Sequence, residues 1–448
     1  MEKEINVIGA GLAGSECAIQ ASKRGIKVNL FEMRPNKETG VHKTDKFAEF
    51  VCSNSLGGAE DTIASGLLKH EMQILGGELI NIAYKNKVPA GGALAIDREG
   101  FSNDVTDRIK SDKNITIINQ ELTEIPQNLP TVIASGPLTS EALSEDIKKF
   151  TKASHLHFFD AIAPIVEKDS INFDIAFYAN RYDKEDSTCE ENSPAYINCP
   201  MNKEQYKKFY EILINAPRIE LKEFEKDAKF FESCLPVEVI ASRGEDTLRF
   251  GPMKPIGLVD KRTNEINYAV VQLRQDNSAK TLYNLVGFQT NLKWPAQKEL
   301  IHSIPGLENA NIVRYGVMHR NTFINSPILL NPTLQTIKRE DLFFAGQITG
   351  TEGYTESIAD GLIAGINISR LVLGEKPLIF PKETMIGSLL NYITNAEQKH
   401  FQPINSNWGI LPNIEMPKAE RKNKKLKHQL QAEISIKKMN EFILENKL

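Results

Sequence analysis

The chain has little of what marks several protein classes. Its five cysteines, Cys17, Cys52, Cys189, Cys199 and Cys234, are an odd number, widely spaced and without a C-x-x-C pair. That argues against a disulfide framework, a structural zinc site or a dithiol redox pair, and reduced thiols are the expectation. The first apolar stretch, "INVIGAGLAG", is interrupted by glycines and followed by no cleavage signature. Neither a signal peptide nor a spanning helix is expected, and the expected location is cytoplasmic. The formal charge is only -4, so any polyanion site has to be local. There is no internal repeat, and the eight histidines are scattered. His155 and His157 lack acidic or cysteine ligands at suitable spacing, and no metal site is expected.

What is present fits a soluble globular protein. Apolar residues make up 41% and charged residues 25% of 448 positions, enough for more than one core. The opening alternates strand, helix and strand ("EINVIGAG", "SECAIQASKRG", "KVNLFEMRP"), a β-α-β unit that favours a parallel sheet. One helix is expected over about 60–80, then a glycine-rich turn and another helix, and a buried strand at "TVIASGP". From about 151 the chain grows richer in Tyr, Asn and Pro with short strand-like runs such as "AVVQL" and "LYNLVGF". At "DLFFAGQITGTEGYTESIADGLIAG" a buried strand, a glycine-rich turn and a long helix return. The expected fold is α/β: a doubly wound, discontinuous Rossmann-like domain (1–150 and 331–400), an inserted α+β domain (151–330), and a basic helical extension (401–448).

Gly9, Gly11 and Gly14 form G-x-G-x-x-G between a strand and a helix, with Ala10, Leu12 and Ala13 filling the motif and Glu32 closing the next strand. The first glycine permits the tight turn, the second lets a pyrophosphate approach the backbone, and the third lets helix and strand pack closely. Glu32 would accept from ribose hydroxyls. Far along the chain, Gly346, Gly350 and Gly353 precede a helix expected to begin near Thr355. In flavoproteins such a second turn faces the ring edge where reduction deposits negative charge, which favours FAD over NAD, with Gly346, Gly353 and Thr355 as contacts.

Two cysteines stand out. Cys17 falls on the apolar face of the first helix, whereas Cys52 in "VCSNSLGG" and Cys234 in "FESCLPVE" are flanked by polar or turn-forming residues. A thiolate on such a loop can be reached.

Over nearly the whole chain the sequence resembles the folate- and FAD-dependent tRNA uracil-5-methyltransferase family. The blocks "EFVCSNSL", "LLKHEM", "VPAGGALAIDR", "YINCPM", "FESCLPVE", "AVVQLRQDN", "LVGFQTNL", "RYGVMHRNT" and "FFAGQITGTEGYTESIADG" occur in that family's order. The resemblance implies methylation at C5 of a uridine in the T-loop of tRNA. It also implies methylenetetrahydrofolate as carbon donor, reduced FAD as reductant, and NADH or NADPH as hydride source, bound without a Rossmann unit of its own. Uracil C5 is a feeble nucleophile until a thiolate adds at C6, and a second group must take the C5 proton. By resemblance Cys234 matches the nucleophile toward C6. Cys52 matches the second functional cysteine, which guards the flavin-borne carbon unit or assists proton removal. One position departs from the family pattern: Gly57 follows Leu56 where a basic residue is usual. Loss of that charge tends to raise the thiol pKa, with Lys43 and Lys46 as candidates to compensate.

RNA contact is less visible. The cluster Lys418, Arg421, Lys422, Lys424, Lys425 and Lys427 suits either phosphates or a solvated face. Tyr178, Tyr182 and Tyr196 are candidates to stack on an everted base. Arg181, Arg243, Arg249, Arg274, Arg314, His319 and Arg320 are candidates to hold the backbone, against ordinary pairing within the fold. Other readings stay open: the same chemistry on a ribosomal RNA uridine, a small-molecule FAD oxidoreductase, or a non-catalytic flavin-containing RNA-binding protein. The sequence leaves the oligomeric state open.

Overall fold

A computed structural model describes residues 3–39, 41–152, 156–161, 163–183, 194–219, 235–264, 266–316, 318–398, 401–417, 420 and 423–448; for 156–161, 183 and 318–321 it describes the backbone alone. Residues 4–8, 27–32, 115–119, 131–133 and 342–344 form a five-stranded sheet in which all neighbours run parallel. The strand 131–133 lies between 4–8 and 342–344, so the late segment re-enters the sheet begun by the opening β-α-β unit. Such parallel strands are buried on both faces, which explains the near-continuous apolar runs "VIAS" and "LFFA".

Two helices lie against each other on this sheet, Leu12–Lys23 after the glycine turn and Tyr354–Val372 after the late one. Their backbones approach closely because Gly361 faces Ala13: a Cβ there would sit 2.2 Å from the Ala13 carbonyl oxygen. The single helix expected over 60–80 is two helices, Ala64–Ile74 and Glu78–Lys85. Gly76 takes φ +77° and Gly77 N–H bonds back to the Met72 carbonyl at 2.8 Å, a glycine stop that the apolar periodicity runs straight through.

A separate hydrophobic core belongs to a six-stranded antiparallel sheet with spatial order 177–178, 196–201, 269–275, 282–285, 165–167, 312–314. Ala269, Val271 and Leu273 point into this core together with Tyr206 and Phe209 of the helix Lys203–Asn215. An antiparallel ribbon, 156–161 against 318–323, carries the chain between the two cores. The C-terminal helix Lys424–Asn446 places Met439 and Ala432 in the first core. Its Ser435 hydroxyl donates to Glu71, whose carboxylate also accepts from Met385 N (2.6 Å) and Ile386 N (2.8 Å) at the start of another helix. Among the described residues no helix is long and apolar enough to cross a membrane.

Candidate active site

Each motif glycine has its own spatial reason. Gly9 takes φ +95°, and a Cβ there would lie 2.7 Å from the Ala134 oxygen. A Cβ on Gly14 would lie 1.8 Å from the Gly9 carbonyl oxygen, so helix and turn are in backbone contact. Gly11 differs, since nothing stands within 4 Å of its Cβ position. It lines a groove instead, and a larger side chain would fill the space a pyrophosphate needs. Two adjoining hollows share Gly11, His42, Ser135 and Leu138, and together run from Glu32, Arg34 and Thr139 at one end to Gly346, Tyr354 and Ser357 at the other. Leu12 and Ala13 line the second hollow, and the strand-end residues Ser135 and Gly136 form one wall.

Glu32 sits at the first end, buried at 6% exposure. One carboxylate oxygen accepts from Ala10 N (2.9 Å), the other from Arg34 N and Nε (both 3.0 Å). Burial pushes its carboxyl up, but Arg34 and these hydrogen bonds outweigh that and hold it below the usual range. A carboxylate offers about four acceptor sites, so one remains for a ribose hydroxyl. Arg34 also bonds Thr44 O (3.1 Å) and reaches Glu49 (3.5 Å), which fixes the loop carrying His42. Burial, then Arg34, pulls His42 down to about 4, so it is neutral near pH 7. The acid, the glycine cradle and the groove together fit an adenine dinucleotide.

At the other end Gly346 takes φ +82° and lines the groove. Its N–H donates to Asp360 (3.2 Å), as do the hydroxyls of Thr349 and Thr351 (both 2.9 Å). Gly353, at φ +116°, precedes the helix Tyr354–Val372. The side chain reaching the groove from this helix start is Tyr354 rather than Thr355, whose hydroxyl donates to Leu56 O at 2.8 Å.

Tyr354 joins the groove to the thiol. Its hydroxyl accepts from Cys52 N (2.6 Å), and its ring stacks on Phe50 with centroids 4.3 Å apart. The Cys52 segment is held from every side. Arg98 donates to Phe50 O (2.9 Å) and Cys52 O (2.7 Å) and pairs with Asp276 (3.0 Å). Arg314 donates to Val51 O (2.6 Å), Arg274 to Asn54 (3.2 Å), and the buried Lys69 amine to Leu56 O (2.7 Å). Cys52 is half-buried, while Cys17 and Cys199 are fully buried, with their thiols pushed up by desolvation. Cys234 and Cys189 lie outside the described residues.

The candidate RNA contacts are mostly committed within the fold. Arg274 and Arg314 serve the Cys52 segment, Arg181 bonds Lys254 O (3.0 Å) and Gln272 (2.9 Å), and Arg249 lies 3.5 Å over the Tyr268 ring. Tyr196 donates to Ala90 O (3.1 Å), whereas Tyr182 is 61% exposed. The side chains of His155, His157, His319, Arg320, Lys418, Arg421 and Lys422 lie outside the described residues. Among the described residues no group of His, Cys, Asp and Glu is placed to hold a metal. Tyr354, Arg98 and Lys69 were not singled out from sequence, although each lies inside a block that carried the resemblance.

A family model described as Glucose inhibited division protein A matches residues 4–376. Among solved structures, Aquifex aeolicus GidA in one crystal form matches with a TM-score of 0.66 at 19% identity, covering 99% of this chain and 76% of that one. The fold class is therefore α/β and Rossmann-like. Two curated relatives are both named methylenetetrahydrofolate–tRNA-(uracil-5-)-methyltransferase TrmFO. The one from Halalkalibacterium halodurans is 56% identical over 98% of both chains. The one from Bacillus subtilis is 57% identical over 97% of both. The chain belongs to the TrmFO family.

Proposed function

We propose that this chain transfers the one-carbon unit of methylenetetrahydrofolate to C5 of a uridine in the T-loop of tRNA, with FAD in the groove and NADH or NADPH as electron source. The printed activity of the family relatives supports this reading. The observation that carries it is the meeting of the groove with the Cys52 segment through the Tyr354 hydroxyl. FAD, when bound, supplies the electrons that turn the transferred methylene into a methyl.

The chain's own groups do the rest. The turn Gly9–Gly14 and the N-terminus of the following helix offer N–H groups to a pyrophosphate, and Glu32 orients a ribose. Cys234 is the proposed nucleophile: its sulfur bonds to uracil C6, the ring electron pair moves to C5 and O4, and C5 attacks the carbon unit. A base then removes the C5 proton as the carbon unit loses its bond to its carrier, and once the resulting methylene has been reduced to methyl the C5=C6 double bond re-forms as the sulfur leaves C6 as thiolate. Cys52, beside the groove, either accepts that proton or shields the carbon unit. Tyr182 and the lysine-rich end of the chain are the proposed RNA contacts.

The test is incubation of the flavin-loaded protein with unmodified transcripts, methylene-labelled folate and NADPH, with label mapped by nuclease digestion and mass spectrometry. Label in 5-methyluridine of tRNA is expected. Label only in ribosomal RNA overturns the choice of substrate, and no label in any RNA overturns the reading.

A further inference from the structure

We propose that Arg274 and Arg314, both carried by the antiparallel sheet, hold the Cys52 sulfur as a thiolate at neutral pH, so that the thiol of one core is activated by cations of the other. The inference rests on the placement of Cys52 in the proposed site and adds the groups that set its charge.

Three guanidinium groups converge on residues 50–54. Arg98 bonds the Cys52 carbonyl but is offset by Asp276, 3.0 Å away and only 4% exposed. Arg314 fastens to Val51 O on one side of Cys52, and Arg274 to Asn54 on the other. Neither forms an ion pair among the described residues, so three cations face one carboxylate across this segment. Burial is the main influence lowering both guanidinium groups, and Arg98 adds to it. Asp276 and Cys52 act the other way on both, as does Tyr196 on Arg274 and Tyr354 on Arg314.

Among the described residues, the other groups facing the segment reduce that surplus without cancelling it. Glu49 lines the groove beside Val51, its oxygens accepting from Lys43 N (2.8 Å), Thr44 N (3.0 Å) and the Thr44 hydroxyl (2.7 Å), and it shares Arg34 with Glu32, so its charge offsets part of the surplus and leaves the segment net positive. His42 is neutral near pH 7. The Tyr354 hydroxyl accepts from Cys52 N and Tyr196 donates to Ala90 O. Lys69, behind the segment, is a further cation or a neutral amine but never an anion. Half-buried like charges with little to offset them repel one another, and an anion between them relieves that repulsion. Of the nearby described groups able to become that anion by giving one proton to solvent, the Cys52 sulfur and the Tyr196 and Tyr354 phenols, the thiol has the lowest ordinary pKa. Ordinary cysteine titrates at about 8.5, and nearby cations lower it by about 1–3 units. The charge that the Gly57 position lacks is thus supplied from residues more than two hundred positions away.

The test is the pH dependence of iodoacetamide alkylation of Cys52 in the flavin-loaded protein, followed by mass spectrometry of the Cys52 peptide and needing neither RNA nor folate. The expected midpoint lies below that of a free cysteine. Arg274→Gln and Arg314→Gln are each expected to raise it, the double variant by about one unit or more, while Arg274→Lys and Arg314→Lys retain most of the lowering. Flavin absorbance reports folding of each variant. A midpoint in the ordinary cysteine range, or one that both glutamine variants leave unmoved, overturns the proposal. So does a result in which those variants weaken binding of a T-arm hairpin RNA while the midpoint stays put, which assigns both arginines to phosphate. Failure of tRNA methylation with the midpoint behaving as expected would count against the proposed function alone.

Discussion

The glycine turn at the middle of the groove and the cysteine segment at its far end are built in opposite ways. The turn takes its key parts from one continuous stretch: Gly9, Gly11, Gly14, Glu32 and Arg34, tied by the Ala10–Glu32–Arg34 hydrogen bonds. The cysteine segment takes its supports from Arg98, Arg274, Asp276, Arg314 and Tyr354, spread over both cores. A local site survives changes in the relation of the two sheets, whereas a site assembled from distant strands depends on it. We infer that cofactor retention and thiol chemistry can be separated by mutation.

The largest expected separation comes from the thiols. Cys234→Ala is expected to abolish methylation, by at least about 10³-fold, while flavin absorbance is unchanged. Full activity would remove Cys234 from the chemistry. Within the turn, Gly14→Val is expected to lower stability by about 3 kcal/mol, because its side chain meets the Gly9 carbonyl. Gly11→Val has room in the apoprotein and is expected to keep the fold but lose flavin. Urea melts and absorbance of the purified variants distinguish the two, and a flavin-replete Gly11→Val would contradict the placement of the pyrophosphate.

Tyr354→Phe tests the junction itself. It leaves Cys52 N–H without its acceptor, at a cost of about 1–3 kcal/mol. Methylation is expected to fall more than flavin affinity, and equal losses would mean that the hydroxyl serves only the fold. The smallest effect concerns Lys69. Burial pulls its amine down from 10.5 to about 7, so between these values the folded chain binds fewer protons than the unfolded one. Its contribution to stability therefore rises with pH across that window, by at most about 1.4 kcal/mol per unit. The difference between wild type and Lys69→Met in urea midpoints at pH 7 and pH 9 should shift accordingly, and a constant difference would contradict a depressed amine.

Legibility in the sequence follows the same division. Period-two and period-3.6 patterns, with glycine at fixed offsets, revealed the β-α-β unit, the "TVIASGP" strand and the returning "DLFFAG" strand, because each is decided within a few residues. The break at Gly76 was missed because the apolar pattern of residues 64–83 continues on both sides of it. Cys52 stood out by its polar flanks, but its arginine partners did not. From sequence Arg274 and Arg314 are candidates for the RNA backbone or for ordinary pairing, and only sheet pairing brings their strands beside residues 50–54. Tyr354 was hidden beside Thr355, since only the helix start decides which of the two faces the groove.

The central claim is sulfur addition to the pyrimidine. It is tested most directly with a T-arm RNA carrying 5-fluorouridine at the target position, incubated with flavin-loaded protein, methylenetetrahydrofolate and NADPH, then denatured and digested. Fluorine cannot leave C5 as a proton does, so the adduct should persist. A nucleotide covalently attached to the Cys234 peptide is the expected result. Attachment to Cys52 instead, or no covalent species at all, would contradict the account.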